Sequence, residues 1–113
     1  MARVEVTIAL REEILRIFKG RALDIFSRME TLEENPSIGK PVGHVGTVVI
    51  KELKWDKFRF YCIADGHVLK FGSKEEIQTL LIKFVKMSDK KTQQETIDEI
   101  KKILTIIGSK GFA

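Results

Sequence analysis

Residues 47–66, TVVIKELKWDKFRFYCIADG, decide the fold class. Two runs, 47–54 and 58–64, are rich in β-branched and aromatic residues and are joined by Trp55-Asp56-Lys57, the pattern of an antiparallel strand pair. Asp65-Gly66 follows as the strongest short-range turn signal in the chain, so 67–71 reads as a returning strand.

Working towards the N-terminus, NPSIGKPVGHVG (35–46) holds two prolines and three glycines in twelve residues and reads as a loop. Before it, Ile14, Phe18, Ala22, Ile25, Met29 and Leu32 recur at steps of four and three, one apolar stripe along a helix that begins near Arg11. Gly20 falls inside this run and predicts a split into a short helix and a longer one. Asn35-Pro36 ends it, because proline disfavours helical geometry in the preceding residue. At 3–9, Val4, Val6 and Ile8 alternate with Arg3, Glu5 and Thr7, the period of a half-buried strand.

Towards the C-terminus, residues 73–87 admit two readings. Ser73 and Glu76 have capping-box spacing and Ile77, Leu80, Leu81 and Phe84 have helical spacing, yet Leu80, Ile82 and Phe84 also alternate as a strand would. The last element is plainer: a capping box at Thr92 and Glu95, a stripe of Ile97, Ile100, Leu104 and Ile107, and a stop at Gly108. Strand, helix or helix pair, several strands and a terminal helix make an α+β domain with a mainly antiparallel sheet.

Length and charge bound the function. A chain of 113 residues is one domain, 1–113, with 43% hydrophobic and 32% charged residues and no apolar run long enough to cross a bilayer. Its N-terminus is charged within a few residues and lacks an apolar signal segment, so the cytoplasm is the default location. The single cysteine, Cys62, excludes an internal disulfide and reads as a small buried hydrophobe on a strand. The net charge is +4, and residues 1–34 carry six basic against seven acidic side chains. All of the positive excess therefore lies downstream, where a basic face would suit an anionic partner or simply be solvated.

The order of strand, helices, NPSIGKPVG, VIKELKWDKFRFYCIADG and LLIKFVKMSDKKTQQETIDEI resembles the RelE/ParE toxin superfamily, and within it the HigB-like branch that includes phage-derived relatives. The family pattern of Asn-Pro before the sheet, Glu-Leu-Arg in one strand, an aromatic-Arg pair in the next and Phe-x-Lys-Lys-Thr before the last helix becomes Asn35-Pro36, Glu52-Leu53-Lys54, Phe58-Arg59 and Phe84-Val85-Lys86, with Lys90-Lys91-Thr92 slightly later. The resemblance spans most of 4–107. It implies a strand at 78–87, which makes 67–77 a long hairpin arm. Two features depart from the pattern: the last helix has no opening proline, and no C-terminal tyrosine or histidine is present, Phe112 being the one aromatic ring after residue 84.

What the resemblance implies is a toxin-antitoxin protein, an mRNA interferase that cuts ribosome-bound message by 2′-hydroxyl attack on the adjacent phosphate, with a cognate antitoxin, the ribosome and mRNA as partners, no membrane, and a homo-oligomer left open. No cofactor or metal is expected. Such an endoribonuclease needs a base, cations for the phosphorane charge and an acid for the leaving oxygen. Arg59 is the candidate for phosphate stabilisation, since a guanidinium matches phosphate with two hydrogen bonds. Lys54 and Lys86 occupy the basic positions of two strands, and Glu52 is the candidate base, although an ion pair with Lys54 on the same strand face is the simpler expectation. Lys83, Lys90 and Lys91 are the expected RNA-backbone contacts. His44 and His67 read as surface residues, and Trp55 as an aromatic closing a turn or stacking on a base. The departures motivate a second reading, a noncatalytic RelE/ParE-like protein that binds a protein target such as a topoisomerase, or nucleic acid.

Overall fold

The computed structural model describes residues 1–112. Strand β1 (Arg3–Val6) is followed by helices α1 (Ile8–Phe18) and α2 (Ala22–Glu34), then strands β2 (Lys40–Val45), β3 (Val48–Trp55) and β4 (Phe58–Asp65). Short helices α3 (Gly66–Phe71) and α4 (Lys74–Gln78) lead to β5 (Leu81–Asp89) and the terminal helix α5 (Gln93–Ile106). The five strands form one sheet in the order β1-β5-β4-β3-β2, parallel between β1 and β5 and antiparallel elsewhere. The fold is α+β as expected, with α1 and α2 on one face and α5 on the other, an arrangement compatible with a RelE-like domain.

The N-terminal stripe forms as its spacing predicts: Ile14, Ala22, Ile25, Met29 and Leu32 are fully or almost fully buried, with Phe18 beside them. They pack on Leu53, Phe60, Cys62, Ile82 and Phe84 of the sheet. Burying Ile14 and Ile25 contributes roughly 1.5–3 kcal/mol each, more than the ~1 kcal/mol that Gly20 costs a helix. The split still occurs, as one 3-10 turn over Lys19–Arg21, and the residue driven to positive φ is Lys19 at 48° rather than the glycine.

Several local expectations are corrected. The first strand stops at Val6 because the Thr7 side chain accepts the Leu10 N–H and caps α1, so the helix begins at Ile8 and not near Arg11; Ile8 faces solvent. Residues 40–45 are not loop but the edge strand β2, where Pro41 is tolerated because an edge needs no ladder bond on its outer side, and a bulge lies between Pro41 and Gly43. Residues 67–71 are helix, not a returning strand. Asp65 accepts from the N–H groups of His67 and Val68 at 2.9 and 3.1 Å, acting as a helix cap. Gly66 does not take the positive φ that a tight hairpin turn requires, and a Cβ there would stand 3.0 Å from the Thr47 carbonyl.

The long hairpin arm expected at 67–77 is thus a pair of short helices, the second held by the capping box of Ser73 and Glu76 that its sequence predicts. The strand implied at 78–87 is present but displaced, running Leu81–Asp89. Thr92 opens α5 without closing a box. Its N–H and hydroxyl both bind Asp89, at 2.9 and 3.0 Å. Ile97, Ile100 and Leu104 pack on Ile50, Tyr61, Ile63 and Val85 as the second core, while Ile107 lies past the helix and is exposed. After Gly108 (φ 86°) the chain folds back and Phe112 enters this second core.

Candidate functional site

Strand pairing determines which side chains share the α5 face. Glu52 lies opposite Tyr61, which lies opposite Lys86, and Lys40 of β2 lies opposite Glu52. One register step away, Lys54 lies opposite Arg59 and Arg59 opposite Ser88. Cross-strand partners point to the same side of a sheet, so these residues form two adjacent rows.

Lys86 belongs to its row only because of a bulge. The register shifts between Tyr61 and Cys62, so that Tyr61 faces Lys86 while Cys62 faces Phe84, leaving Val85 as the extra residue of β5. Regular alternation from Phe84, which faces α1 and α2, would send Lys86 to that same face. Instead Val85 and Lys86 both turn to α5: Val85 packs in the second core and the Lys86 amine sits 3.1 Å from Glu99.

The centre of the two rows is an internal ion pair. Arg59 Nε lies 3.3 Å from Glu52 Oε1, and the two side chains are 11% and 10% exposed. The contact is Coulombic and poorly aligned, since Arg59 Nε is buried with no hydrogen-bond partner, and Arg59 Nη1 makes one long bond of 3.4 Å to the Lys57 carbonyl. Glu52 therefore pairs with Arg59 and not with Lys54, the partner that sequence proximity suggested. Beside the pair the Tyr61 hydroxyl and Ser88 Oγ are 2.8 Å apart, both buried. Burial pushes the Tyr61 phenol above its usual range, against the opposing pull of the Ser88 hydrogen bond.

Lys54 is exposed at the margin of this cluster, and Lys90 and Lys91 are exposed in the bend just beyond Ser88 and Asp89. The hydrogen bonds from Thr92 hold the Asp89 carboxyl below its usual range and tie that bend down. Lys83 does not join them. It lies opposite Ile63, four residues along β4 from Arg59 and so about 13 Å away at strand spacing, and its amine binds the Phe112 carbonyl. Phe112 is accordingly at the far end of the sheet.

His44 and His67 are exposed outside the two rows. Trp55 faces the other side, edge-on to Phe18 with ring centroids 5.5 Å apart and covered by the Arg21 guanidinium 4.5 Å above its ring, so it is not available for stacking on a base at this site. Cys62 is buried as expected, its thiol pushed up to about 12 by desolvation. Among the described residues no three His, Cys, Asp or Glu side chains gather as metal ligands would. No helix among them is long and apolar enough to cross a membrane.

Sequence reasoning missed Tyr61, Ser88, Lys40 and Lys51. Tyr61 was within reach, two residues from Arg59 on one strand face. Ser88 and Lys40 lie outside the strands that periodicity defined. Lys51 is buried on the opposite face, where its amine donates to the Pro36 carbonyl at 2.6 Å and desolvation lowers its pKa; it anchors the 35–39 segment and not the polar cluster. Comparison of the chain with protein-family models, with curated proteins and with solved structures returned no match.

Proposed function

We propose that the protein is a toxin-type endoribonuclease that cleaves ribosome-bound mRNA, and that a cognate antitoxin restrains it. The observation that carries this reading is the gathering of Glu52, Lys54, Arg59 and Lys86 into two neighbouring rows of one sheet face, beside Lys90 and Lys91. The family resemblance of the sequence supplies the reaction class.

In this reading an RNA phosphate takes the unaligned Nε of Arg59 and two of its oxygens share the guanidinium. Glu52, released from that contact, accepts the 2′-hydroxyl proton. The 2′ oxygen bonds to phosphorus, the bond from phosphorus to the 5′ oxygen breaks, and Lys54 protonates the departing oxygen, leaving a 2′,3′-cyclic phosphate. Lys90 and Lys91 hold the flanking backbone. Producing the protein without any partner and mapping transcript ends on translating ribosomes tests the proposal. New ends within reading frames are the expected result, and unchanged growth with intact transcripts would refute it.

A second reading is supported by two observations: Arg59 is already neutralised by a buried carboxylate, and Phe112 packs in the second core far from the cluster. It is a noncatalytic protein of the same fold that binds nucleic acid or a protein such as a topoisomerase. Purified protein that binds RNA or a topoisomerase but leaves ribosome-bound message uncut would establish it over the first.

A further inference from the structure

The edge strand β1 covers only part of β5. Its pairing runs from Arg3 opposite Leu81 to Val6 opposite Phe84, and the last bond is from the Thr7 N–H to the Phe84 carbonyl at 3.0 Å. The chain then turns into α1, so from Val85 to Asp89 β5 keeps β4 on one side and has no strand on its β1 side. Phe84 directs its backbone groups to the β1 side; with the bulge counted, Met87 is the next residue to do so.

This open edge is the floor of a cleft of about 560 Å³, walled by α1 on one side and α5 on the other. An unpaired strand edge is a template for another extended chain, and the walls here restrict what can enter. Glu12 and Glu13 of α1 and Glu99 of α5 line it, against Arg16 and Lys86, and Lys86 is already engaged by Glu99. Neither Glu12 nor Glu13 is within ion-pair distance of a cation among the described residues.

We propose that the Val85–Asp89 edge is a docking site for an extended peptide whose lysine or arginine side chains alternate with small apolar ones. The peptide adds as a sixth strand, exchanging main-chain hydrogen bonds with Met87 and meeting Glu12 and Glu13 with its basic side chains. The carboxylates disfavour RNA in this cleft. They also disfavour a second copy of the chain, because a two-fold pairing of β5 edges would bring Glu12 and Glu13 of the two copies together. The cleft shares Lys86 with the polar cluster, but the proposal does not depend on the ribonuclease reading.

The test uses the ¹⁵N-labelled full chain and the synthetic peptide acetyl-Lys-Val-Lys-Val-Lys-Val-amide. At saturation the Met87 amide should exchange its hydrogen at least tenfold more slowly. A version N-methylated on alternate residues should bind at least tenfold more weakly, and so should the Glu-Val analogue. The Glu12→Lys, Glu13→Lys double variant, exposed or half-exposed on α1, should reverse the preference between Lys-Val and Glu-Val peptides. Unchanged exchange at Met87, equal binding of the N-methylated peptide, or equal binding of the two charge types would overturn the proposal. So would protection of Met87 that rises with protein concentration in the absence of peptide, which would assign the edge to a second copy.

Discussion

Arg59 and Glu52 sit on adjacent strands, one row apart, and meet at 3.3 Å with about nine-tenths of each side chain out of solvent. A buried pair of this kind is costly to break, because the surviving charge keeps its desolvation penalty and loses its partner. Arg59→Ala should therefore destabilise the fold by about 3 kcal/mol as well as remove the phosphate ligand. Replacing both, as Arg59→Met with Glu52→Leu, should recover most of that loss in denaturant titrations and still give no RNA cleavage. A single Arg59→Ala variant as stable as the parent would show that the pair carries no folding energy.

Tyr61 and Cys62, neighbours on β4, report the two cores through their ionisation. Both acids are raised in the folded state by burial, so folding holds their protons more tightly than the unfolded chain does. Stability is fully present below the unfolded values, about 8.5 for Cys and about 10 for Tyr, and falls as pH rises beyond them. Tyr61 is the one tyrosine, so tyrosinate absorbance should emerge above pH ~10 together with loss of helical circular dichroism. At pH 8 the Cys62 thiol should resist disulfide reagents until denaturant is added.

Salt dependence separates a working basic face from scattered charge. Arg59 and Lys86 are each paired with a carboxylate, leaving Lys40, Lys54, Lys90 and Lys91 as cations without one among the described residues. Single-stranded RNA binding should lose affinity with a log-log slope of about 3, from roughly 0.7 for each of these four groups. Lys54→Ala should flatten the slope by about 0.7, and Lys83→Ala, at the far end of the sheet, should leave it unchanged. Equal effects from the two lysines would mean that binding is diffuse.

Asp65 offers a check on the segment whose conformation differs most from its sequence pattern. As the cap of α3 it accepts two backbone N–H groups, so Asp65→Ala should cost about 1 kcal/mol while Asp65→Asn costs a few tenths. Had the residue served a tight hairpin turn, the alanine variant would also shift the strand register, which amide exchange in β4 would reveal.

What the sequence determined by itself were the features governed by near neighbours. The periodic stripes of Ile14 to Leu32 and of Ile97, Ile100 and Leu104 define helices because burial of one face outweighs local propensity, and the strand pair 47–54 and 58–64 follows from β-branched and aromatic alternation. The common face of Glu52, Lys54 and Arg59 follows from the same alternation across one short connection. Contacts between distant segments were decided only in the tertiary structure. Residues 40–45, rich in glycine and proline, became a strand because β3 offered an open edge, and Asp65-Gly66 opens a helix, not a hairpin turn, with the Gly66 N–H donating to the Thr47 carbonyl and Asp65 capping α3. Lys86 reached the cluster through one extra residue in β5, whereas strand register places Lys83 opposite Ile63 at the far end, where it binds a carbonyl 29 residues later in the chain. Each of these outcomes is a competition between a weak local preference and a hydrogen bond or buried contact supplied from elsewhere in the chain, and only the folded arrangement brings the competitor within reach.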